Sequence, residues 1–302
     1  MRRFLFLAVF LLFLASLGVT SYLLYEREKN AENKHDSAIN VVATFYPVAE
    51  FARQVGGPYV NVLTLVAPGS EPHEYEPTPQ DMARIRESDG FLFLGVLDSW
   101  VMKILPDFQK AHVPTLDIAS VVDGNFDPHI WLDPILVQKE VFAIRDFFVK
   151  IDVLHAAAYR ANADRYVSLL QKLYEQYRTE LASCDIQEVI VAHDAFSYLA
   201  SQYHLKFLPI VGVSPEGESS AQKLATLTKI ARERNIRFIY FESSASRKLS
   251  DTLASEVGAQ TLVLNPLETL SIPDMAAGKD YISVMKENLH NLKRAYVCKD
   301  SK

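Results

Sequence analysis

The stretch AAAYRANADRYVSLLQKLYEQYRTELAS, residues 156–183, runs without proline or glycine through the middle of a 302-residue chain. Its apolar positions, among them Tyr159, Tyr166, Leu169, Leu170, Leu173, Tyr177 and Leu181, recur mostly at spacings of three and four, as on one face of an α-helix. At 1.5 Å per residue this helix spans on the order of 40 Å. A helix of that length at mid-chain is a connector between two halves, and both flanks carry the same pattern.

Before it, residues 41–45, 60–66, 90–94 and 115–118 read as short apolar strands, with helical spacing over 47–55, 79–87 and 134–148. After it, strands are expected at 188–192, 207–211, 238–241 and 261–264, and helices over 195–203, 219–235, 246–258 and 280–297, with Gly258 as a cap. Almost continuous apolar strands such as Gly90-Phe91-Leu92-Phe93-Leu94, set between helices, mark a parallel sheet covered on both faces. The predicted fold class is α/β: two lobes, residues 39–152 and 184–302, each with a mainly parallel sheet flanked by helices. One long helix over 153–183 joins them.

The N-terminus is a different material. Arg2 and Arg3 precede an uncharged, mostly apolar run over 4–25, and a polar tether continues over 26–38. An export signal and an N-terminal membrane anchor both fit residues 1–25, and either places the remainder outside the cytoplasmic membrane. Cys184 and Cys298 suit such an oxidising location, where one disulfide and two free thiols are both compatible with the spacing. The formal net charge of -6, without a basic block in either half, argues against a nucleic-acid partner.

The chemistry gathers around histidines. In Asp127-Pro128-His129-Ile130-Trp131-Leu132-Asp133-Pro134 the two prolines each remove a backbone donor and constrain the preceding residue, so the segment reads as a rigid turn presenting His129. His73 lies in Pro-Gly-Ser-Glu-Pro-His-Glu-Tyr-Glu-Pro, residues 68–77, beyond the second strand. His193, Glu242 and Asn265 each come directly after a strand of the second half. Ligands in open α/β sheets collect beyond the carboxyl ends of strands, so these five residues are candidates for one crevice between the lobes. Three imidazoles with a nearby amide or carboxylate oxygen suit zinc, and manganese less obviously. Asp127, Asp133 and Asp194 are expected to orient imidazoles or cap helices. His112, His155, His204 and His290 are expected at the surface, His35 in the tether, and Trp100 and Trp131 in packing near the cleft.

Residues 68–79, 127–134 and 192–198 resemble the three metal-binding stretches of the zinc and manganese substrate-binding proteins of ABC transporters. Phe-Glu-Ser-Ser at 241–244 and Leu-Asn-Pro-Leu at 264–267 are similar to that family's remaining two. The resemblance runs in order from about residue 39 to 297, and it implies two α/β lobes on one long helix. It also implies His73, His129 and His193 as ligands of a transported divalent ion. His193 at the third position favours zinc (Zn2+), with manganese (Mn2+) as the alternative. The implied partners are an ABC permease and its ATPase subunit, with the chain itself a monomer. Where the family often has an aspartate this chain has Asn265, which leaves Asn265, Glu242 and water as choices for the fourth ligand. The His-rich acidic loop of many zinc-specific members is missing, since residues 119–126 are short and lack histidine. The rival reading is a zinc-dependent hydrolase using the same histidines with Glu242 or Glu74 as base, but no His-Glu-x-x-His motif is present.

Overall fold

Each half of the chain winds its strand–helix alternation into a four-stranded parallel sheet, and the strand order is the same in both: second, first, third, fourth. The computed structural model describes residues 38–122, 127–215, 217, 219–242 and 247–298. The apolar run at 4–25 and the tether up to residue 37 lie outside them. Among the described residues no helix is long and apolar enough to cross a membrane.

In the first lobe β1 (Ile39–Ala43), α1 (Tyr46–Gly56), β2 (Val60–Thr64), α2 (Pro79–Glu87), β3 (Gly90–Phe93), α3 (Ser99–Lys110) and β4 (Thr115–Asp117) form the sheet β2-β1-β3-β4. Its core places Val42, Phe91 and Phe93 of the strands against Ile85, Val101 and Phe108 of the helices. Helix α3 has no counterpart in the sequence reading. Pro106 sits inside it, a substitution that costs a helix interior about 3 kcal/mol, and burial of Val101 and Phe108 against the sheet outweighs that penalty.

Helices α4 (Pro134–Ile151) and α5 (Ala156–Ala182) come next, the latter being the 27-residue connector. Its buried face is Tyr159, Ala163, Tyr166, Leu170, Leu173, Tyr177 and Leu181, while Leu169 stays 42% exposed on the flank. The first half of α5 packs on the first lobe. There Asn162 Nδ2 donates to the Val55 carbonyl at 3.0 Å, and the Tyr166 ring lies 6.3 Å from Phe51.

The second lobe comprises β5 (Cys184–Asp185), β6 (Glu188–Val191), α6 (Ser197–Tyr203), β7 (Lys206–Pro209), α7 (Ala221–Glu233), β8 (Phe238–Phe241), α8 (Lys248–Val257), β9 (Gln260–Val263), α9 (Ile272–Ala276), α10 (Tyr281–Ala295) and β10 (Val297–Cys298). Its sheet is β7-β6-β8-β9, and Gly258 caps α8 at φ 72, where a side chain would be strained. The far half of α5 packs here, with Tyr177 Oη donating to the Met285 carbonyl at 2.5 Å and its ring 5.1 Å from Tyr203. The connector is thus in register with both cores.

His112, His204 and His290 are exposed as expected, but His155 is buried. Asp152 takes His155 Nδ1 at 2.6 Å and the Tyr159 hydroxyl at 2.5 Å, while the imidazole stacks on Tyr59 at 4.2 Å. Burial of this imidazole ties the turn between α4 and α5 to the first lobe.

Cys184 and Cys298 face each other across the antiparallel β5–β10 pair and form a disulfide that closes a 114-residue separation. Removing a crosslink over so long a loop releases denatured-state entropy worth about 2–5 kcal/mol. Replacing both cysteines by serine should therefore lower the thermal midpoint by roughly 5–10 °C, read by calorimetry. A midpoint unchanged by the double substitution would mean that the β5–β10 ribbon contributes nothing to global stability.

Candidate metal centre

In the second lobe the strand order reverses between β6 and β8, which pair at Ile190 and Ile239. Side chains just past those strands therefore enter the crevice where open α/β sheets hold their ligands. His193 is the second residue after β6 and Glu242 the first after β8. The two meet there, His193 Nδ1 donating to Glu242 Oε1 at 2.5 Å.

The corresponding crevice in the first lobe is closed. Asp98 fills it, accepting from Thr44 Oγ1 at 2.7 Å and from the Leu94 amide at 2.8 Å. Burial pushes its carboxyl up to about 7. The first lobe consequently presents its imidazoles from further out. His73 stands on the β2–α2 loop, where Glu71 accepts its amide at 2.9 Å and a Thr78–Asp81 capping box fixes the entry to α2. His129 sits in the proline-fenced turn. Asp127 Oδ1 accepts both the His129 amide (3.0 Å) and Nδ1 (2.8 Å), while Asp133 caps α4 through the Ile135 amide.

The three Nε2 atoms converge on a fourth group, Glu268, from the segment between β9 and α9. Glu268 Oε1 lies 3.2 Å from His73 Nε2, 3.0 Å from His129 Nε2 and 3.1 Å from His193 Nε2, and the last two nitrogens are 3.3 Å apart. One ligand atom from each of the four residues lies within 4.8 Å of the others. A tetrahedron around zinc with bonds of 2.0–2.1 Å has edges of about 3.3 Å, and these four separations of 3.0–3.3 Å are of that size. With Nδ1 of His129 and His193 turned to carboxylates, their Nε2 atoms are the ones a cation takes once it has displaced the protons they share with Glu268. The donor set is built for a cation.

The oxygen that the structure brings to the three imidazoles is that of Glu268, which the sequence reading did not name. Asn265 is engaged otherwise, its Oδ1 accepting the Leu267 amide at 2.7 Å and its own amide donating to Asn288. Glu242 stands behind His193, on the Nδ1 side. Of the three aspartates, Asp127 orients an imidazole, Asp133 caps a helix, and Asp194 is exposed. Glu268 did leave a signal in the sequence: it is the lone charge in the run Leu264-Asn265-Pro266-Leu267-Glu268-Thr269-Leu270, and a carboxylate is buried among apolar residues only when something pays for it.

A family model described as zinc-uptake complex component A, periplasmic, matches residues 41–295. The chain belongs to this family. It is 39% identical over 291 residues to the high-affinity zinc uptake system protein ZnuA of Bacillus subtilis, covering 89% of this chain and 91% of that one. It is 38% identical over 304 residues to the zinc-binding lipoprotein AdcA of Streptococcus pneumoniae, covering 94% of this chain but only 60% of that longer protein. The crystal structure of the Zn(II)-bound ZnuA-like domain of the same AdcA superposes with a TM-score of 0.78 at 40% identity, over 86% of this chain and 99% of that one.

In this zinc-uptake component the lobes meet around the site through polar contacts that need no ion. Trp131 Nε1 donates to the Pro266 carbonyl at 2.7 Å, Tyr281 Oη to the Trp131 carbonyl at 2.8 Å, and the Gly69 amide to Thr269 Oγ1 at 2.7 Å. Ser197 hydrogen-bonds Asp127, so the carboxylate that orients His129 also reaches the second lobe. Burial alone would lower the pKa of His193, but its bonds to Glu242 and Glu268 carry it up to about 10. His129 is raised by the same balance, with Asp127 and Glu268 outweighing its burial. Burial pushes Glu268 upward, yet bonds from the three imidazoles hold it well below the usual carboxylate range.

Proposed function

We propose that this chain is the extracytoplasmic binding component of a zinc importer. It captures zinc with His73, His129, His193 and Glu268 and delivers it to an ABC permease powered by a separate ATPase subunit. The observation that carries this reading is the convergence of three Nε2 atoms within 3.2 Å of a single Glu268 oxygen. Three imidazoles and one carboxylate in a four-coordinate arrangement fit zinc, whereas manganese favours six oxygen-rich positions. Residues 1–25, with their apolar run over 4–25, would as export signal or anchor place the protein on the outer side of the cytoplasmic membrane.

Enclosure separates transport from hydrolysis. His129 and His193 side chains are 0% exposed, Glu268 is 1% and His73 is 8% exposed. A catalytic zinc needs an open position facing substrate, and these four residues leave the ion surrounded by protein. His73, the most accessible of them, marks the side on which the ion enters and leaves.

Elemental analysis of the natively purified protein should return about one zinc per chain, and His129→Ala protein should return almost none. In competition calorimetry at equal free concentrations zinc should displace manganese. Manganese retained against zinc would overturn the assignment of the cargo, and ester or peptide turnover lost in His193→Ala would revive the hydrolase.

A further inference from the structure

Between β9 and Glu268 the chain passes through a conformation that L-residues avoid. Leu267 has φ 59 and is completely buried. A non-glycine residue in the left-handed region is held there by its surroundings. The structure shows what holds it. Asn265 Oδ1 accepts the Leu267 amide at 2.7 Å, closing an Asx turn. Asn288, itself 2% exposed on α10, fixes Asn265 from both sides, accepting its amide at 2.8 Å and donating to its carbonyl at 2.7 Å. Trp131 takes the Pro266 carbonyl at 2.7 Å. Beyond Leu267 the next side chain is Glu268, whose Oε1 reaches all three Nε2 atoms.

We propose that Asn265, bracketed by Asn288, is a positioning residue for Glu268: it sets the turn that aims the carboxylate, and it acts on the ion only through that carboxylate. The inference rests on the reading of Glu268 as a ligand. An extended Leu267 would reverse the direction of the following side chain, and these bonds, together with the burial of Leu267, offset the strain there.

The test is a cycle of zinc dissociation constants, measured by chelator competition on the full chain, with melting of each metal-free variant to establish that it is folded. Asn265→Ala should bind about 10- to 100-fold more weakly, the range typical for residues that orient a ligand. Asn288→Ala should reproduce that loss, and Asn265→Asp, which keeps an oxygen acceptor for the Leu267 amide, should recover most of it. In a Glu268→Ala background, Asn265→Ala should cause no further loss, because the two act as one unit. The visible spectrum of the cobalt-loaded Asn265→Ala protein should shift towards that of Glu268→Ala, a change that a purely structural role would not produce. Wild-type affinity in Asn265→Ala, or the same fold loss in both backgrounds, overturns the proposal. Wild-type affinity in Glu268→Ala itself instead removes the ligand reading beneath it, so the two failures are distinguishable.

Discussion

Replacing Glu268 by alanine is expected to weaken zinc binding by at least about 100-fold, more than the 10- to 100-fold that accompanies loss of a group which merely supports a ligand. Glu268 is the only one of the four converging residues that brings a full negative charge to the ion, and at 1% exposure water is poorly placed to substitute for it. The remaining three imidazoles are neutral ligands, so the charge of a divalent cation in this buried site would be met from further away, by carboxylates such as Asp127 and Glu242 behind the rings. Glu242→Ala should by contrast stay within the supporting range, since it leaves His193 Nε2 in place and loosens only the ring. Chelator competition on the two variants separates them: a larger loss in Glu242→Ala than in Glu268→Ala would exchange their roles.

Zinc affinity is also expected to rise steeply with pH, by at least about 100-fold between pH 5.5 and 7.5. A ligand must shed its proton to bind metal, and each proton displaced changes the affinity roughly tenfold per pH unit. The metal-free site holds protons tightly, with His193 raised to about 10 and His129 raised in the same direction. At neutral pH zinc must therefore expel at least one. Calorimetry in two buffers of different ionisation enthalpy measures that number directly, and zero proton release with a flat affinity from pH 8 to 5 would contradict a three-histidine site.

The metal-free protein should respond in the opposite sense. His193 titrates higher when folded than its ordinary value of about 6.5, so its carboxylate partners add stability that is complete below that value. This contribution is lost as pH rises towards about 10. Glu268, held low by three imidazoles, contributes above its ordinary carboxylate range and loses that contribution as pH falls. Melting curves should show the zinc-induced rise in midpoint growing from pH 6.5 to 9, as the metal-free form weakens and the bound form tightens.

Much of this architecture is written in local pattern. The connector is legible because an unbroken run of helix formers with one apolar face has few alternatives, and the strand–helix alternation on either side needs no long-range information. The motifs around His73 and His129 are legible because proline fixes backbone geometry residue by residue. Helix α3 was hidden by Pro106, whose local cost is overruled by packing of Val101 and Phe108. His155 was misplaced at the surface because its burial depends on Tyr59, far away in sequence.

The fourth converging residue marks the boundary most clearly. By itself the sequence determined two α/β lobes, the helix between them and three histidines placed beyond strand ends, since periodicity, proline and glycine act over a few residues. Only the tertiary structure brings Glu268, and not Asn265, up to the three imidazoles. That choice depends on a left-handed Leu267, on Asn288 from a later helix and on Trp131 from the other lobe, contacts that exist only once the two lobes have packed together.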